Sequence, residues 1–344
     1  MQKKLLTMAV ASALAAPVAA LADVSVYGSI DTGIKQQSKV IVGGAEESRL
    51  SVEPQIKKTN RWGFKGSEDL GGGLMANFNL EGGYSSDTGV TTATTTTTTA
   101  ATADIFTRYA VVGLSKGGNK VDLGRDYTLN FRTQGIYDPL SHDYGGSAGV
   151  QGDITAGVRT SNSIMAAFRF GAGGVAVQYA PGEVAGDGSA NTYTAFNGDM
   201  AFGPATVGAA FGSKEDAAGI ATDTMNVGGN YKMGAFTFRL GLSTEEVESG
   251  NESQKLSGGV QYDFSPTLTG RVSIYDLGID NAGGTEIGTA NTVVVNVEYS
   301  MSKRTLFYVV FDRKSFEGNQ LGTTVGTSLA DGATGIGAGI VHNF

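Results

Sequence analysis

The chain has 344 residues, a formal net charge of −8 at pH 7 and no cysteine. Without cysteine it forms neither disulfides nor thiolate metal sites, and its acidic balance argues against nucleic acid as a partner. Glycine, with 52 residues, is about twice as frequent as usual, and 40% of the residues are apolar. Because no run of about 18 apolar residues follows the first 22 positions, the sequence predicts no membrane-spanning helix in the rest of the chain.

Residues 1–22 have the pattern of a cleavable secretory signal. Two lysines precede an apolar run, and small residues stand at the expected cleavage position. A membrane-anchoring helix is the alternative, but Pro17 interrupts the run and no basic flank follows it. The sequence therefore predicts an exported protein with one domain, residues 23–344.

Downstream of the signal, apolar and polar residues alternate, which is typical of strands with two different faces. In the segment 72–84, Leu74 and Phe78 fall on one parity, while Asn77 and Glu81 fall on the other. About sixteen such segments follow one another, and none shows a helical repeat. Their predicted starts lie near residues 24, 59, 73, 103, 119, 157, 174, 192, 205, 223, 235, 252, 267, 290, 304 and 333.

Long connections, the first of them at 35–58, alternate with tight turns rich in Gly and Pro. This alternation is typical of an up-and-down antiparallel barrel whose two ends face different compartments, whereas a soluble Greek-key sandwich, the alternative, would scramble it. A barrel of about sixteen strands is too wide for side chains to fill, so we expect a water-filled lumen and an apolar outer face in lipid. Aromatic residues at the turn ends of strands fit an interfacial girdle: Phe170, Phe202, Tyr231, Phe236, Phe264, Tyr299 and Phe344.

Several motifs occur in order along the chain: SVYGSID (25–31), NRWGFKGSEDLGGGLMANFNLEGG (60–83), FTRYAVVGL (106–114), VDLGRDYT (121–128), RTSNSI (159–164) and a terminal Phe. This succession resembles the general-diffusion porins of Gram-negative outer membranes, and it is most similar to the neisserial and β-proteobacterial branch. The resemblance implies a homotrimer of 16-stranded transmembrane β-barrels in outer-membrane lipid and lipopolysaccharide. It also implies that the third loop folds inward as a constriction.

The resemblance assigns the basic side of the constriction to Arg61, Arg108 and Arg159. Lys65 shares the face of Arg61, and alternation with apolar neighbours, such as Tyr109 beside Arg108, predicts that all three arginines face water. For each arginine, the alternative is a lumenal residue that pairs with a nearby carboxylate. Fixed positive charge in a narrow wet passage concentrates anions, so we expect a weak to moderate anion preference.

The inferred third loop, residues 129–153, carries the candidate acidic side of the constriction. Asp138, Asp143 and Asp153 are placed to face the arginines, and exposed turn carboxylates are the alternative. The same loop contains Arg132, which leaves the sign and strength of the selectivity open.

Two further segments have expected structural roles. The last strand is expected to close the barrel against the first, with Phe344 anchoring the seam; the resemblance makes this residue part of the signal read by the outer-membrane assembly machinery. The Thr-rich tract 91–99 is interpreted as a solvated surface loop, with a subunit latch as the alternative.

Enzyme motifs are present only as fragments. GGSAG (145–149) lacks the preceding strand and following helix of a nucleophile elbow. In SHD (141–143), consecutive side chains point in different directions and cannot relay a proton. Two histidines are too few for a metal site. We therefore predict no catalysis, metal or cofactor.

The function hypothesis is passive diffusion of ions and small hydrophilic solutes. The alternatives are a substrate-specific channel for one nutrient class, which an aromatic slide or paired arginine tracks would favour, and a barrel enzyme or adhesin.

Overall fold

The computed structural model describes residues 23–91, 105–144, 154, 157–248, 250–318 and 329–344, so the predicted signal at 1–22 lies outside the described part. Its strands are β1 (Asp23–Val42), β2 (Ala45–Pro54), β3 (Arg61–Gly71), β4 (Leu74–Gly83), β5 (Tyr109–Lys116), β6 (Asn119–Tyr127), β7 (Arg159–Phe170), β8 (Gly173–Ala180), β9 (Tyr193–Phe202), β10 (Ala205–Glu215), β11 (Ala221–Met233), β12 (Phe236–Val247), β13 (Glu252–Ser265), β14 (Leu268–Asp280), β15 (Glu286–Ser300), β16 (Thr305–Glu317) and β17 (Thr334–Asn343). A single helix in the described part, α1, covers Leu129–Tyr137, and no described helix is long and apolar enough to cross a bilayer.

These seventeen segments occupy sixteen positions in one closed barrel. β1 pairs with β3 over Asp23–Ser29 and with β2 over Thr32–Val42, so β2 and β3 are two halves of one barrel strand. Each later strand pairs with its sequence neighbours, and β17 closes the barrel against β1 over Ser29–Gln37. The predicted all-β, up-and-down antiparallel barrel is confirmed.

The first long connection was predicted wrongly. Instead of leaving the sheet at residue 35, β1 continues to Val42, turns at Gly43 and Gly44 with φ of +58° and +88°, and returns as β2. β1 has 20 residues and is therefore about 66 Å long, whereas the apolar band of an outer-membrane barrel is about 25 Å tall. The hairpin therefore extends beyond the membrane, where alternation with apolar residues is not required.

The outer face of the barrel is apolar and exposed. Val26 and Leu240, for example, each expose 62% of their surface, while lumenal neighbours such as Tyr275 and Ser273 are buried. The aromatic residues expected in the interfacial girdle are all exposed on this face: Phe170, Phe202, Tyr231, Phe236, Phe264, Tyr299 and Phe344. Lipid-exposed side chains thus alternate with lumenal ones, as a membrane barrel requires.

The connection between β6 and β7, residues 128–158, is called loop 3 here, and its described part lies inside the barrel. Its helix α1 packs against the inner wall formed by β8–β12. The Asn130 side chain donates to Asn226 Oδ1 at 2.8 Å, and the Gln134 side chain donates to Ser243 Oγ at 3.2 Å. The expected inward-folded third loop is therefore present.

A second segment also enters the lumen, between β2 and β3. We call these residues, 55–60, the strand-2 insert; it begins after Pro54. Its Ile56 is buried in an apolar cluster with Leu140 and Tyr144 of loop 3. The wall side chains of this cluster are Tyr275, Val294, Tyr308, Val310 and Val341. The lumen is therefore filled on the side of β14–β17, which displaces the water path toward the opposite wall.

The C-terminal residue takes part in the seam of the barrel. The N–H of Phe344 donates to Gly28 O at 3.1 Å, and the N–H of Gly28 donates to Phe344 O at 3.1 Å. A Cβ atom at position 28 would lie 2.3 Å from Phe344 Cζ and 2.6 Å from the backbone oxygen of Arg61, so a larger residue would displace the ring or the neighbouring strand. Phe344 thus packs over the first strand.

A candidate pore constriction

Two of the predicted basic residues lie on the lumenal face of β3. The register of β1 and β3 pairs Ser29 with Arg61 and Ser25 with Lys65, which puts these side chains on the face of Tyr27. Lys65 Nζ lies 5.0 Å from the centroid of the Tyr27 ring, and Arg61 Nε donates to a backbone carbonyl of the strand-2 insert. The faces predicted from alternation are confirmed for both.

Arg108 reaches the lumen by a different route from the one predicted. The alternation predicts Tyr109 on the outer face. In the structure, Tyr109 on β5 lies opposite Glu81 on β4 and shares its face, and the Glu81 carboxylate accepts from the Tyr27 hydroxyl inside the barrel. The predicted parity is therefore wrong. Arg108 precedes β5 in a bend, where strand alternation does not apply, and its Nε donates to Glu81 Oε1 at 2.5 Å.

Arg108 and Arg159 converge on one hydroxyl group. The Nη2 atom of each guanidinium donates to the Tyr127 hydroxyl at 2.8 Å, and the Arg159 guanidinium lies 4.3 Å from the Tyr127 ring centroid. The Nε of Arg159 is buried and has no hydrogen-bond partner in the described part of the chain. Two arginines from distant motifs therefore form one basic cluster.

Local sequence explains why loop 3 starts as a helix at this point. Thr128 follows β6 directly, and its hydroxyl accepts from the N–H of Phe131, which caps the helix. Pro139, which cannot continue a helix, follows Asp138 at the C-terminal end. The helix is therefore confined to one short segment beside the basic cluster.

A row of aromatic rings, which was not predicted, joins the wall to loop 3. Tyr109 meets Tyr127 edge-on at 5.0 Å, Tyr127 stacks on Phe131 at 4.8 Å, and Phe131 stacks on His142 at 3.9 Å between centroids. The only available signal is the spacing of Tyr127 and Phe131, four residues apart across the strand–helix junction. Arg132 lies beside the row and pairs with Asp126.

The predicted acidic residues do not lie free in the passage. Asp138 accepts from the Tyr275 hydroxyl at 2.8 Å and from the backbone N–H of His142 at 2.5 Å. Asp143 accepts from Lys57 Nζ at 2.6 Å. Asp153 lies outside the described residues.

Lys57 belongs to a buried charged network that connects three parts of the chain. Its Nζ donates to Asp143 on loop 3 and, at 2.7 Å, to Glu298 on β15. Arg271 on β14 donates to Glu298 at 2.9 Å, and the Tyr144 hydroxyl donates to the same carboxylate at 3.1 Å. Burial and the nearby Glu298 raise the pKa of the Tyr144 phenol, which therefore stays protonated as a donor.

The two sides of the lumen differ in charge compensation. On the loop-3 side, two cations and two carboxylates balance in the network just described. On the opposite wall, Arg108 pairs with Glu81. Arg61, Lys65 and Arg159, in contrast, form no ion pair within 4 Å among the described residues. These three residues thus place positive charge without a carboxylate partner on this wall.

The lysines of the strand-2 insert were missed because they fall in the connection predicted at 35–58. Lys57 joins the charged network, and Lys58 Nζ donates to Asn343 Oδ1 at 2.9 Å without a carboxylate partner among the described residues. The available signal is the sequence PQIKKT, in which alternation stops after Pro54. In the described part of the chain, no group of three or more His, Asp or Glu residues is arranged to hold a metal ion.

Comparisons with known proteins agree with this architecture. An outer membrane porin protein of Bordetella pertussis is 31% identical over 48% of this chain, a match that spans only 42% of that relative's length. Outer membrane porin protein 32 of Delftia acidovorans is 26% identical over the whole of both chains. The solved structure of an anion-selective porin from Comamonas acidovorans superposes with a TM-score of 0.74 at 23% identity, covering 94% of this chain and 100% of that one. The profile of a family described as Gram-negative porin matches residues 7–319, which confirms the resemblance seen in the motifs: the chain belongs to the Gram-negative porin family.

Proposed function

We propose that this outer-membrane porin forms a water-filled channel for passive diffusion of ions and small hydrophilic solutes, with a weak to moderate preference for anions. The observation that carries the proposal is the group of lumenal cations, Arg61, Lys65 and Arg159, that have no carboxylate partner among the described residues. Fixed, uncompensated positive charge in a narrow aqueous passage raises the local anion concentration and repels cations. The similar Comamonas structure is described as an anion-selective porin.

We assign the basic side of the constriction to Arg61, Lys65, Arg108 and Arg159. Arg108 contributes less net field than the others because Glu81 neutralises it. Asp138 and Asp143, with Asp153, remain the proposed acidic side. Asp143 is paired with Lys57, so the field that it directs at the passage is weak, whereas Asp138 is held by neutral donors and keeps its charge. This charge distribution favours anions.

The proposed assembly is a homotrimer of separate pores in outer-membrane lipid and lipopolysaccharide. One similar solved structure, an outer membrane protein of Vibrio cholerae with a TM-score of 0.71 at 14% identity, is described as a trimer form. Cleavage of residues 1–22 and recognition of Phe344 by the assembly machinery belong to the same proposal. Catalysis is no part of it.

A second candidate function is a substrate-specific channel for one nutrient class. It is favoured by the row of four aromatic rings, Tyr109, Tyr127, Phe131 and His142, beside two guanidinium groups. Such a surface suits planar organic anions, because ring faces and guanidinium groups contact different parts of the same solute.

Single-channel recording in planar bilayers under a salt gradient tests both candidates. General diffusion with anion preference predicts openings in groups of three and a reversal potential of the anion sign. A strongly cation-selective channel would contradict the charge argument. Adding benzoate separates the two functions: a general channel conducts in proportion to concentration, whereas a specific channel saturates and shows block events.

A further inference from the structure

The strand-2 insert and loop 3 meet in the middle of the lumen. The backbone N–H of Tyr144 donates to Lys57 O at 2.6 Å, and Lys57 Nζ lies 4.9 Å from the centroid of the Tyr144 ring. Ile56 packs against Leu140 in the same place. The insert therefore contacts the segment 140–144 of loop 3 through its backbone, its apolar side chain and its charge.

The insert is held in the lumen independently of loop 3. Its Lys57 and Lys58 backbone N–H groups donate to Asp31 Oδ2 on β1 at 2.7 and 2.5 Å, and Asp31 also accepts from the Tyr308 hydroxyl at 2.7 Å. Ile56 fills the space above Gly33, where a Cβ would lie 2.8 Å from its Cδ1. The insert is thus a fixed support for the loop.

Lys57 connects this support to loop 3 and to the wall at β15. Its side chain is only 7% exposed and binds Asp143 on loop 3 and Glu298 on β15, which are 86 and 241 residues away in sequence. Without Lys57, the buried Glu298 and the part-exposed Asp143 would share Arg271, whose distance to Asp143 is 3.9 Å. A carboxylate that loses its cation favours hydration, and Asp143 becomes more hydrated when loop 3 moves away from the wall.

We propose that Lys57 is a positioning residue of the pore: it fastens the middle of loop 3, at Asp143, to the wall of β14 and β15 and so sets the cross-section of the water path. This inference rests on the proposed channel function. α1 is held by neutral hydrogen bonds to β11 and β12. Lys57, in contrast, holds the segment that follows the helix.

Lys57→Met tests the inference, because methionine keeps much of the length and loses the charge. We expect a higher single-channel conductance and more open-channel noise than in the unchanged protein. Lys57→Arg restores both ion pairs and should return the conductance to the original value. Lys120→Met is the matched control, since it removes a lumenal lysine that pairs with Asp122 away from the insert.

A second readout follows the loop directly and does not depend on conduction. The chain has no cysteine, so Leu140→Cys introduces a single thiol at a fully buried lumenal position. Modification by a water-soluble maleimide should be slow in this variant, faster when Lys57→Met is added, and unchanged when Lys120→Met is added. Equal rates in all three proteins, or an unaltered conductance in Lys57→Met, would overturn the inference.

Two outcomes separate this inference from the proposed function. A folded protein that conducts no ions refutes the channel function, while the maleimide rates still report on the loop. If Lys57→Met fails to fold, Asp143→Asn removes the same ion pair from the loop side and leaves the wall unchanged. It should also accelerate modification at position 140, and a rate equal to that of the parent would count against Lys57 as a fastener.

Discussion

Replacing Arg159 by serine should reduce the anion preference more than deleting a neutralised ion pair of the same wall. Arg159 has no carboxylate within 4 Å in the described part of the protein, whereas Arg108 is paired with Glu81 at 2.5 Å. Arg159→Ser therefore lowers the net lumenal charge by one. The double variant Glu81→Gln/Arg108→Ser leaves it unchanged.

The size of the effect follows from Coulomb's law. An ion passing about 6 Å from a guanidinium interacts with it by about 0.7 kcal/mol in water, and by about 0.4 kcal/mol after screening at 0.1 M salt. In the variant, anions lose this attraction and cations lose an equal repulsion. The free-energy difference between the two ions therefore changes by about 0.8–1.4 kcal/mol, which changes the permeability ratio about fourfold to tenfold.

The assay is the reversal potential of purified channels in planar bilayers under a KCl gradient. Arg159→Ser should move it toward the cation side, and Glu81→Gln/Arg108→Ser should keep it close to the original value. The single variant Glu81→Gln should move it toward the anion side, because it leaves Arg108 unpaired. If the double variant shifts as far as Arg159→Ser, the number of arginines and not their uncompensated charge sets the selectivity, and the reasoning fails.

Three further predictions concern the barrel and its field. Gly28→Val should lower the fraction of heat-modifiable, folded barrel on gels, because its Cβ meets the Phe344 ring at 2.3 Å and the backbone oxygen of Arg61 at 2.6 Å; an unchanged fraction would contradict the tight fit at this seam. Leu240→Arg, on the lipid face, should destabilise the barrel by up to about 2–4 kcal/mol in urea unfolding from lipid, whereas Thr237→Arg on the lumenal face of the same strand should cost little. Raising salt from 0.1 to 1 M should weaken the anion preference, because the Debye length falls from about 10 to 3 Å; a salt-independent ratio would exclude an electrostatic origin.

The strands and their faces could be predicted from the sequence because lipid and water impose a period of two on each strand. The face of Arg61 follows from this rule, as its neighbours Trp62 and Phe64 lie on the outer side. The rule fails for Arg108, since a bend before β5 separates it from the alternation of Tyr109 and the following residues. Side chains beside a bend are oriented by their partners, here Glu81, and the partner lies on another strand.

The strand-2 insert could not be predicted for a related reason. Local sequence indicates a break after Pro54, where Gln55 adopts a φ of +61°. It does not indicate whether the chain turns outward into solvent or inward into the lumen. That choice depends on Asp31, Asp143 and Glu298, which meet the insert only when the barrel has closed. The motifs located the basic wall, but only the structure shows which of its charges are already neutralised.

The acidic net charge and the proposed anion preference are compatible because selectivity depends on where charge remains unpaired. Of the acidic residues, Glu46 and Glu47 lie on the β1–β2 hairpin beyond the membrane, while Asp143 and Glu298 are neutralised by the insert and β14. An acid on the hairpin lies more than a Debye length from an ion in the passage and acts on it weakly. Folding a lysine-bearing segment into the lumen thus compensates negative charge on one side of the passage, and we expect the arginines of the other side to contribute most to the field that an ion encounters.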